Sequence, residues 1–103
     1  MKKGLLTCSG GFSTTMMAQA LDNITIPDGI KWDALGISAG GFSNDTFADY
    51  EIVLVSPQIR FRFNEIKKIC DSKNIKCMQI DPKLYVATQA KQLYEEIKLE
   101  LAK

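Results

Sequence analysis

The stretch EIVLVS at residues 51–56 narrows what this chain can fold into more than any other part of it. The run is continuous and rich in β-branched residues, and Pro57 closes it, so it predicts a strand that is buried on both faces. Strands of this kind occur in parallel sheets whose two faces are covered by helices. The sequence therefore predicts an α/β protein.

Short apolar runs alternate with amphipathic stretches along the whole chain, a pattern typical of parallel strands joined by helical crossovers. Strands are predicted at residues 3–7, 31–38, 51–56 and 75–80, and a turn at 27–29. Helices are predicted at 13–23 and 44–50, in a segment carrying Ile59, Phe63, Ile66 and Cys70, and at 84–102. The last helix carries one apolar stripe made of Val86, Ala90, Leu93, Ile97 and Leu101.

Ligands of open parallel sheets bind beyond the carboxyl ends of the strands. In this chain that rule selects four loops, at residues 8–13, 38–43, 56–58 and 81–85. All four contain Ser, Cys, Gly, Asp or Pro. Residues 39–43 (AGGFS) resemble residues 9–13 (SGGFS). The similarity is either due to chance or indicates a second glycine-rich rim at the same edge of the sheet.

Length and charge exclude several classes of function. A chain of 103 residues is expected to form one domain, residues 1–103. Its 13 basic and 12 acidic residues leave a net charge of +1, so no nucleic-acid partner is expected. The apolar runs are too short for a membrane span or a signal peptide, which predicts a cytoplasmic protein. Three cysteines in such a compartment are expected to be thiols.

Histidine is absent from the chain. Its absence excludes Ser-His and Cys-His catalysis and most zinc sites, and no metal or cofactor is expected. Any nucleophile must therefore be activated by backbone amides, by a lysine or arginine, or by its reaction partner.

Cys8 stands where the first predicted strand ends and the first helix begins. Gly10 and Gly11 allow a tight loop whose amides converge on one point, and the helix N-terminus adds partial positive charge there. This setting favours thiolate and suits in-line attack on a phosphoryl group. The alternative is that Cys8 only fills space beside a tight turn, the role predicted for Cys70 and Cys77 as core hydrophobes.

Three segments together resemble one known family. They are the N-terminal strand-Cys-Ser-x-Gly-x-Ser-Thr-helix pattern, VLVSPQI at residues 53–59 and QIDPKLY at residues 79–85. In this respect the chain is similar to enzyme IIB of the lactose/cellobiose class, a component of the phosphoenolpyruvate-dependent sugar phosphotransferase system. The resemblance implies a flavodoxin-like or phosphatase-like fold: an open four-stranded parallel sheet, order 2-1-3-4, with helices on both faces.

The resemblance also implies a function. Cys8 would take phosphate from a histidine of a IIA partner and pass it to a sugar bound by the membrane component IIC. The chain would be a monomer that associates with this membrane component. The residues implied for the phosphate cradle are Ser9, Gly10, Gly11, Phe12, Ser13 and Thr14. Rim or partner contacts are expected at Pro57, Gln58, Arg60, Asp81 and Tyr85, although Arg60 also suits a solvated helix start.

The chain departs from the family pattern in two places. Phe12 stands where methionine is common, and the segment after Tyr85 lacks the usual glycines. Two alternatives remain open. A low-molecular-weight phosphatase or arsenate reductase fits Asp81-Pro82, but Thr14 occupies the position of its phosphate-clamping arginine. A flavodoxin-like flavin carrier would have only Trp32 and Tyr85 to stack on the flavin.

Overall fold

The computed structural model describes residues 1–9, 12–37 and 45–103, and it describes Phe12 and Ser13 by their backbone only. Within these residues the strands are β1 (Lys2–Cys8), β2 (Ile30–Gly36), β3 (Ile52–Val55) and β4 (Lys76–Gln79). The α-helices are α1 (Phe12–Thr25), α2 (Phe63–Ser72) and α3 (Ala90–Leu101). Short 3₁₀ segments occupy Ile26–Asp28, Pro57–Arg62, Pro82–Leu84 and Ala87–Gln89.

All the strand pairs are parallel, and the order across the sheet is β2-β1-β3-β4. The order predicted from the family resemblance is thereby confirmed. Every residue of β3 is buried, as the apolar run of residues 51–56 predicts. On β2, by contrast, buried and more exposed residues alternate over the first half of the strand, as expected at a sheet edge.

Helices cover both faces of the sheet. On one face Leu6 and Leu54 pack with Met17 and Leu21 of α1 and with α3; this cluster is called the first core. On the other face Leu5, Val53 and Val55 pack with α2 in the second core. Successive residues of β1 and β3 therefore point alternately into the two cores, as strand geometry requires.

The side chain of Trp32 on β2 extends over Gly4 on the neighbouring strand β1. Gly4 pairs with Trp32 of β2, and a Cβ atom at Gly4 would collide with the Trp32 ring. The indole therefore lies over the glycine at the centre of the sheet, buried to 2% exposure.

The prediction of a helix at residues 44–50 was wrong for its described part. Residues 45–49 form turns, closed by bonds from the Ala48 amide to the Asp45 carbonyl and from the Tyr50 amide to the Phe47 carbonyl, both 3.2 Å. Phe47 is fully buried in the second core. A segment this short gains its order from such burial, because a single helical turn is costly to nucleate. Ser38 and the 39–43 segment lie outside the described residues.

The start of the last helix was also predicted wrongly, by six residues. Asp81 accepts a hydrogen bond from the Lys83 amide and caps Pro82–Leu84. Val86 then adopts an extended conformation and is 50% exposed, so it does not belong to the apolar stripe. Ala90, Leu93 and Ile97 are buried as predicted.

The helix predicted around Ile59 is in fact divided. Pro57–Arg62 is a 3₁₀ segment with a non-helical backbone at Ile59 (φ −121°, ψ 27°), and the α-helix begins at Phe63. Ile59, Ile66 and Cys70 are nevertheless buried in the second core, as their spacing predicts.

Candidate functional site

The carboxyl edge of the sheet, where the strands end, brings together the predicted site residues that the structure describes. Cys8 is the last residue of β1, and Ser56 follows the last residue of β3 directly. The Ser56 amide donates to the Thr7 carbonyl at 3.1 Å, so the parallel pairing of β1 with β3 continues to this edge. The two central strands of the sheet thus end side by side.

Cys8 lies at the carboxyl end of β1, one of the two central strands, and is 2% exposed. Its thiol donates to the Leu35 carbonyl of β2, with sulfur and oxygen 3.8 Å apart. Helix α1 starts four residues later and has 14 residues, so the positive end of its dipole favours negative charge beside the thiol. Cys8 therefore lies at the carboxyl edge of the sheet, four residues before the start of α1.

Ser9 and Gln58 connect two of the predicted loops. The Ser9 hydroxyl donates to Gln58 Oε1 at 3.0 Å, although the residues are 49 positions apart. Both side chains are exposed. This contact places residues 56–58 next to Ser9, the residue that follows Cys8.

Thr14 and Tyr85 form a second link across the same edge. The Thr14 hydroxyl and the Tyr85 hydroxyl are 2.7 Å apart, and either can be the donor. Thr14 is 1% exposed and lies in the first turn of α1. The sequence analysis named both residues but did not predict their contact. The two hydroxyl groups meet at the position where a phosphatase has its arginine side chain.

Asp81 caps the 3₁₀ turn that follows β4. Its Oδ1 atom accepts from the Lys83 amide at 2.9 Å, at the start of the 3₁₀ turn that contains Pro82. The carboxylate thus stabilises the loop after β4. This bond explains the Asp-Pro pair without the general-acid role that a phosphatase would give it.

The 3₁₀ segment Pro57–Arg62 forms an outer rim beside Ser9. Arg60 is exposed there, whereas Arg62 pairs with Glu65 at 3.4 Å. Phe61 is 78% exposed and was missed by the sequence analysis, because it lies off the helical spacing of its buried neighbours. An exposed ring between two arginines suits contact with another protein.

Ser56 was also missed as a separate site residue. It is fully buried, and its hydroxyl oxygen has no hydrogen-bond partner in the described structure. Serine at the start of a helical segment commonly caps it, but the Ser56 side chain makes no cap to Pro57–Arg62. The sequence could have indicated Ser56 as a site residue, because it stands at the carboxyl end of the predicted strand that became β3.

Cys70 and Cys77 are buried in the second core, which confirms their prediction as core residues. Their hydrogen bond, together with burial, raises the pKa of the Cys77 thiol. Cys77 is therefore a thiol at neutral pH.

Gly10, Gly11 and the side chains of Phe12 and Ser13 lie outside the described residues, as does the 38–43 loop. Their roles stay predictions.

The helices that the structure does describe are too short or too polar to cross a membrane.

An open parallel α/β sheet with a thiol at the carboxyl end of its central strand, before a helix N-terminus, defines a class of anion-handling proteins to which carriers and phosphatases both belong. Comparison with known proteins distinguishes between them. Residues 3–96 match the family described as "PTS system, Lactose/Cellobiose specific IIB subunit", and the chain belongs to this family. Members of the family are phosphotransferase components of sugar uptake, as the sequence resemblance predicted.

Individual relatives agree with this assignment. The oligo-beta-mannoside-specific EIIB component of Bacillus subtilis (strain 168) is 29% identical over 96 residues, covering 93% of this chain and 92% of the relative. The lactose-specific EIICB component of Lacticaseibacillus casei is 28% identical over 82 residues, which are 80% of this chain but 14% of that longer protein. A IIB region thus also occurs inside chains whose name joins components C and B.

A solved structure shows the same fold. The lactose-specific IIB component domain from Streptococcus pneumoniae superimposes with a TM-score of 0.73 at 19% sequence identity. The match covers 92% of this chain and 95% of that one.

Proposed function

We propose that this chain is the phosphoryl carrier of a sugar phosphotransferase system and that Cys8 is the residue that carries the phosphoryl group. The observation that supports this most is the placement of Cys8 at the end of β1, a central strand, four residues before the start of a 14-residue helix. Cys70 and Cys77 have no comparable surroundings, since both are packed in the second core.

The proposed chemistry has two steps. The Cys8 thiolate attacks the phosphorus atom of a phosphohistidine on a IIA protein, so that an S–P bond forms and the P–N bond breaks. The bonding electrons return to the imidazole ring. In the second step a sugar hydroxyl attacks phosphorus and gives its proton to water, while the S–P bond breaks and the thiolate leaves. No oxidant, metal or cofactor is needed for either step.

The donor has to reach the sulfur of Cys8, a residue that is 2% exposed in this structure. The sulfur must therefore become more accessible in the donor complex. The exposed Phe61 ring and Arg60 give the IIA protein a surface beside the Ser9–Gln58 contact. Together with Pro57, Asp81 and Tyr85, these residues form the proposed rim.

The acceptor is proposed to be a sugar held by a membrane IIC component. The support is that two relatives, from Lacticaseibacillus casei and Staphylococcus epidermidis, are named as lactose-specific EIICB components. The relatives' names include an oligo-beta-mannoside and lactose, which favours a β-linked di- or oligosaccharide as substrate. Residues 1–103 would act as one monomeric IIB domain at the cytoplasmic side of the membrane component.

The experiment is phosphorylation by a phosphorylated IIA protein, followed by mass spectrometry of the intact chain and its peptides. Wild-type protein should gain one phosphoryl group on the peptide that contains Cys8. The Cys8→Ser variant should gain none while keeping its fold, and Cys77→Ala serves as a matched control that should still be labelled. Label on Cys70 or Cys77, or full labelling of Cys8→Ser, would contradict the proposal.

A further inference from the structure

The Ser56 hydroxyl is an exception among the buried hydroxyl groups of the described residues. Thr7, Thr14 and Thr25 are as deeply buried as Ser56, and each of their hydroxyls has a hydrogen-bond partner. The Ser56 hydroxyl has none. Burying a hydroxyl without a partner opposes folding, and such groups in proteins call for an explanation. The explanation has to come from what lies beside Ser56.

The register of the sheet puts Cys8 beside Ser56. Thr7 pairs with Val55, and the Ser56 amide bonds to the Thr7 carbonyl, so the next residues along the two strands are Cys8 and Ser56. Neighbouring strands are about 4.8 Å apart. The two residues are therefore at the same level of adjacent strands at the carboxyl edge.

Both side chains also belong to the same face of the sheet. Leu6 and Leu54, two residues earlier on each strand, are members of the first core. Since side chains alternate between faces along a strand, Cys8 and Ser56 point to the face that α1 and α3 cover. The Ser56 hydroxyl is thus directed to the side of the sheet that holds the Cys8 sulfur.

The other flank of Cys8 carries an acceptor. The Leu35 carbonyl of β2 accepts the thiol proton, with sulfur and oxygen 3.8 Å apart. A carbonyl oxygen can stabilise the protonated thiol in this way, but it cannot donate to a sulfur anion. On the β3 side, Ser56 supplies a hydroxyl that can donate by rotating about its C–O bond.

We propose that Ser56 is a catalytic residue whose hydroxyl donates a hydrogen bond to the Cys8 sulfur when that sulfur is an anion. This inference rests on the proposed function, in which Cys8 attacks as a thiolate and leaves as a thiolate. The unpartnered hydroxyl is then a donor held ready for the charged form of the site. Donors already buried at a site are a recurring source of rate enhancement, because only a small rearrangement is needed when charge develops.

The test compares Ser56→Ala with Thr7→Val. Thr7 lies next to Cys8 on β1, but its hydroxyl is satisfied by the Leu54 carbonyl at 2.8 Å. The rate of alkylation of Cys8 by iodoacetamide at neutral pH is followed by peptide mass spectrometry, and urea unfolding is measured in parallel. This readout needs neither a IIA protein nor a sugar.

Ser56→Ala should slow the alkylation of Cys8 by roughly tenfold, the effect expected for losing one hydrogen bond to a charged group. Its unfolding midpoint should equal or exceed that of the wild type, because the removed hydroxyl has no partner in the folded thiol form. Thr7→Val should show the reverse: unchanged alkylation and a lower unfolding midpoint. Loading of phosphate onto Ser56→Ala and its discharge to the sugar should both slow.

An unchanged alkylation rate in Ser56→Ala would overturn the inference. A lower unfolding midpoint or loss of folding in Ser56→Ala would overturn it too, because the hydroxyl would then have a structural partner. Failure of the proposed function looks different. Phosphate would be found away from Cys8 whatever residue stands at position 56, and the alkylation comparison would be unaffected.

Discussion

The hydroxyl groups of Thr14 and Tyr85 lie 2.7 Å apart, although 71 positions separate the two residues. The contact ties the first turn of α1 to the loop after β4 at the carboxyl edge of the sheet. Tyr85 also packs against the first core, which fixes the direction of its ring. The pair therefore fixes the first turn of α1 relative to the loop after β4.

Replacing Tyr85 with phenylalanine should destabilise the protein by about 1–2 kcal/mol, because the buried Thr14 hydroxyl loses its partner. Urea unfolding measures this loss. The matched control is the double variant Thr14→Val/Tyr85→Phe, whose loss should be smaller than the sum of the two single losses. Strictly additive losses would show that the two hydroxyls do not interact.

The wild-type protein should hydrolyse p-nitrophenyl phosphate negligibly. Thr14 stands where a phosphatase needs arginine, and its hydroxyl is engaged by Tyr85. Asp81 is engaged by the Lys83 amide, and the chain has no histidine to activate water. Once phosphorylated and separated from its donor, Cys8 should keep its phosphoryl group for many minutes.

The decisive measurement is the lifetime of that adduct with and without membranes that carry IIC and sugar. Membranes and sugar together should shorten it sharply. Rapid spontaneous release of inorganic phosphate, accompanied by aryl-phosphate turnover that disappears in Cys8→Ser, would instead indicate a phosphatase.

Thr25→Val should cost about 2–3 kcal/mol of stability. The fully buried Thr25 hydroxyl donates to the Ile30 carbonyl at 2.8 Å and accepts from the Trp32 indole at 2.9 Å. Valine has nearly the same shape but leaves the indole N–H without its acceptor. Because Trp32 is the only tryptophan, its fluorescence reports unfolding directly. Thr25→Ser keeps the hydroxyl and should lose less; equal losses would argue against the hydrogen bonds.

The Asp33–Tyr50 contact should make stability depend on pH on the acid side. The hydrogen bond from Tyr50, 2.8 Å long, is the main reason that the pKa of Asp33 lies below its ordinary 3.8, and Lys3 adds to the effect. A lowered folded pKa stabilises the protein above the unfolded pKa, and this contribution is lost as pH falls through the folded value.

The difference in unfolding free energy between wild type and Tyr50→Phe should therefore be largest near neutral pH and shrink below about pH 4. Urea unfolding at a series of pH values checks this. A difference that stays constant down to about pH 2 would mean that the ionised Asp33 does not use the bond. At the alkaline end, burial followed by the Asp33 bond raises the pKa of Tyr50 to about 12, so measurements near neutral pH leave the phenol protonated.

Local patterns in the sequence determined the layout of the molecule and the place of its thiol. The apolar run at 51–56 predicts β3, the helical spacing of Leu93 and Ile97 predicts the buried stripe of α3, and Cys8 falls at the end of β1. These features depend on periodicity and on neighbours in the chain, which a sequence displays directly.

Tertiary structure alone decided which distant groups meet. The Thr14–Tyr85 pair and the unpartnered Ser56 hydroxyl beside Cys8 follow from the register of β1 with β3 and from the packing of α1 on the sheet. The start of α3 at Ala90 follows from the Asp81 cap and the extended Val86, which override an apolar spacing that continues back to Val86. Register and capping are set by contacts between residues far apart or by single hydrogen bonds, and neither leaves a periodic trace in the sequence.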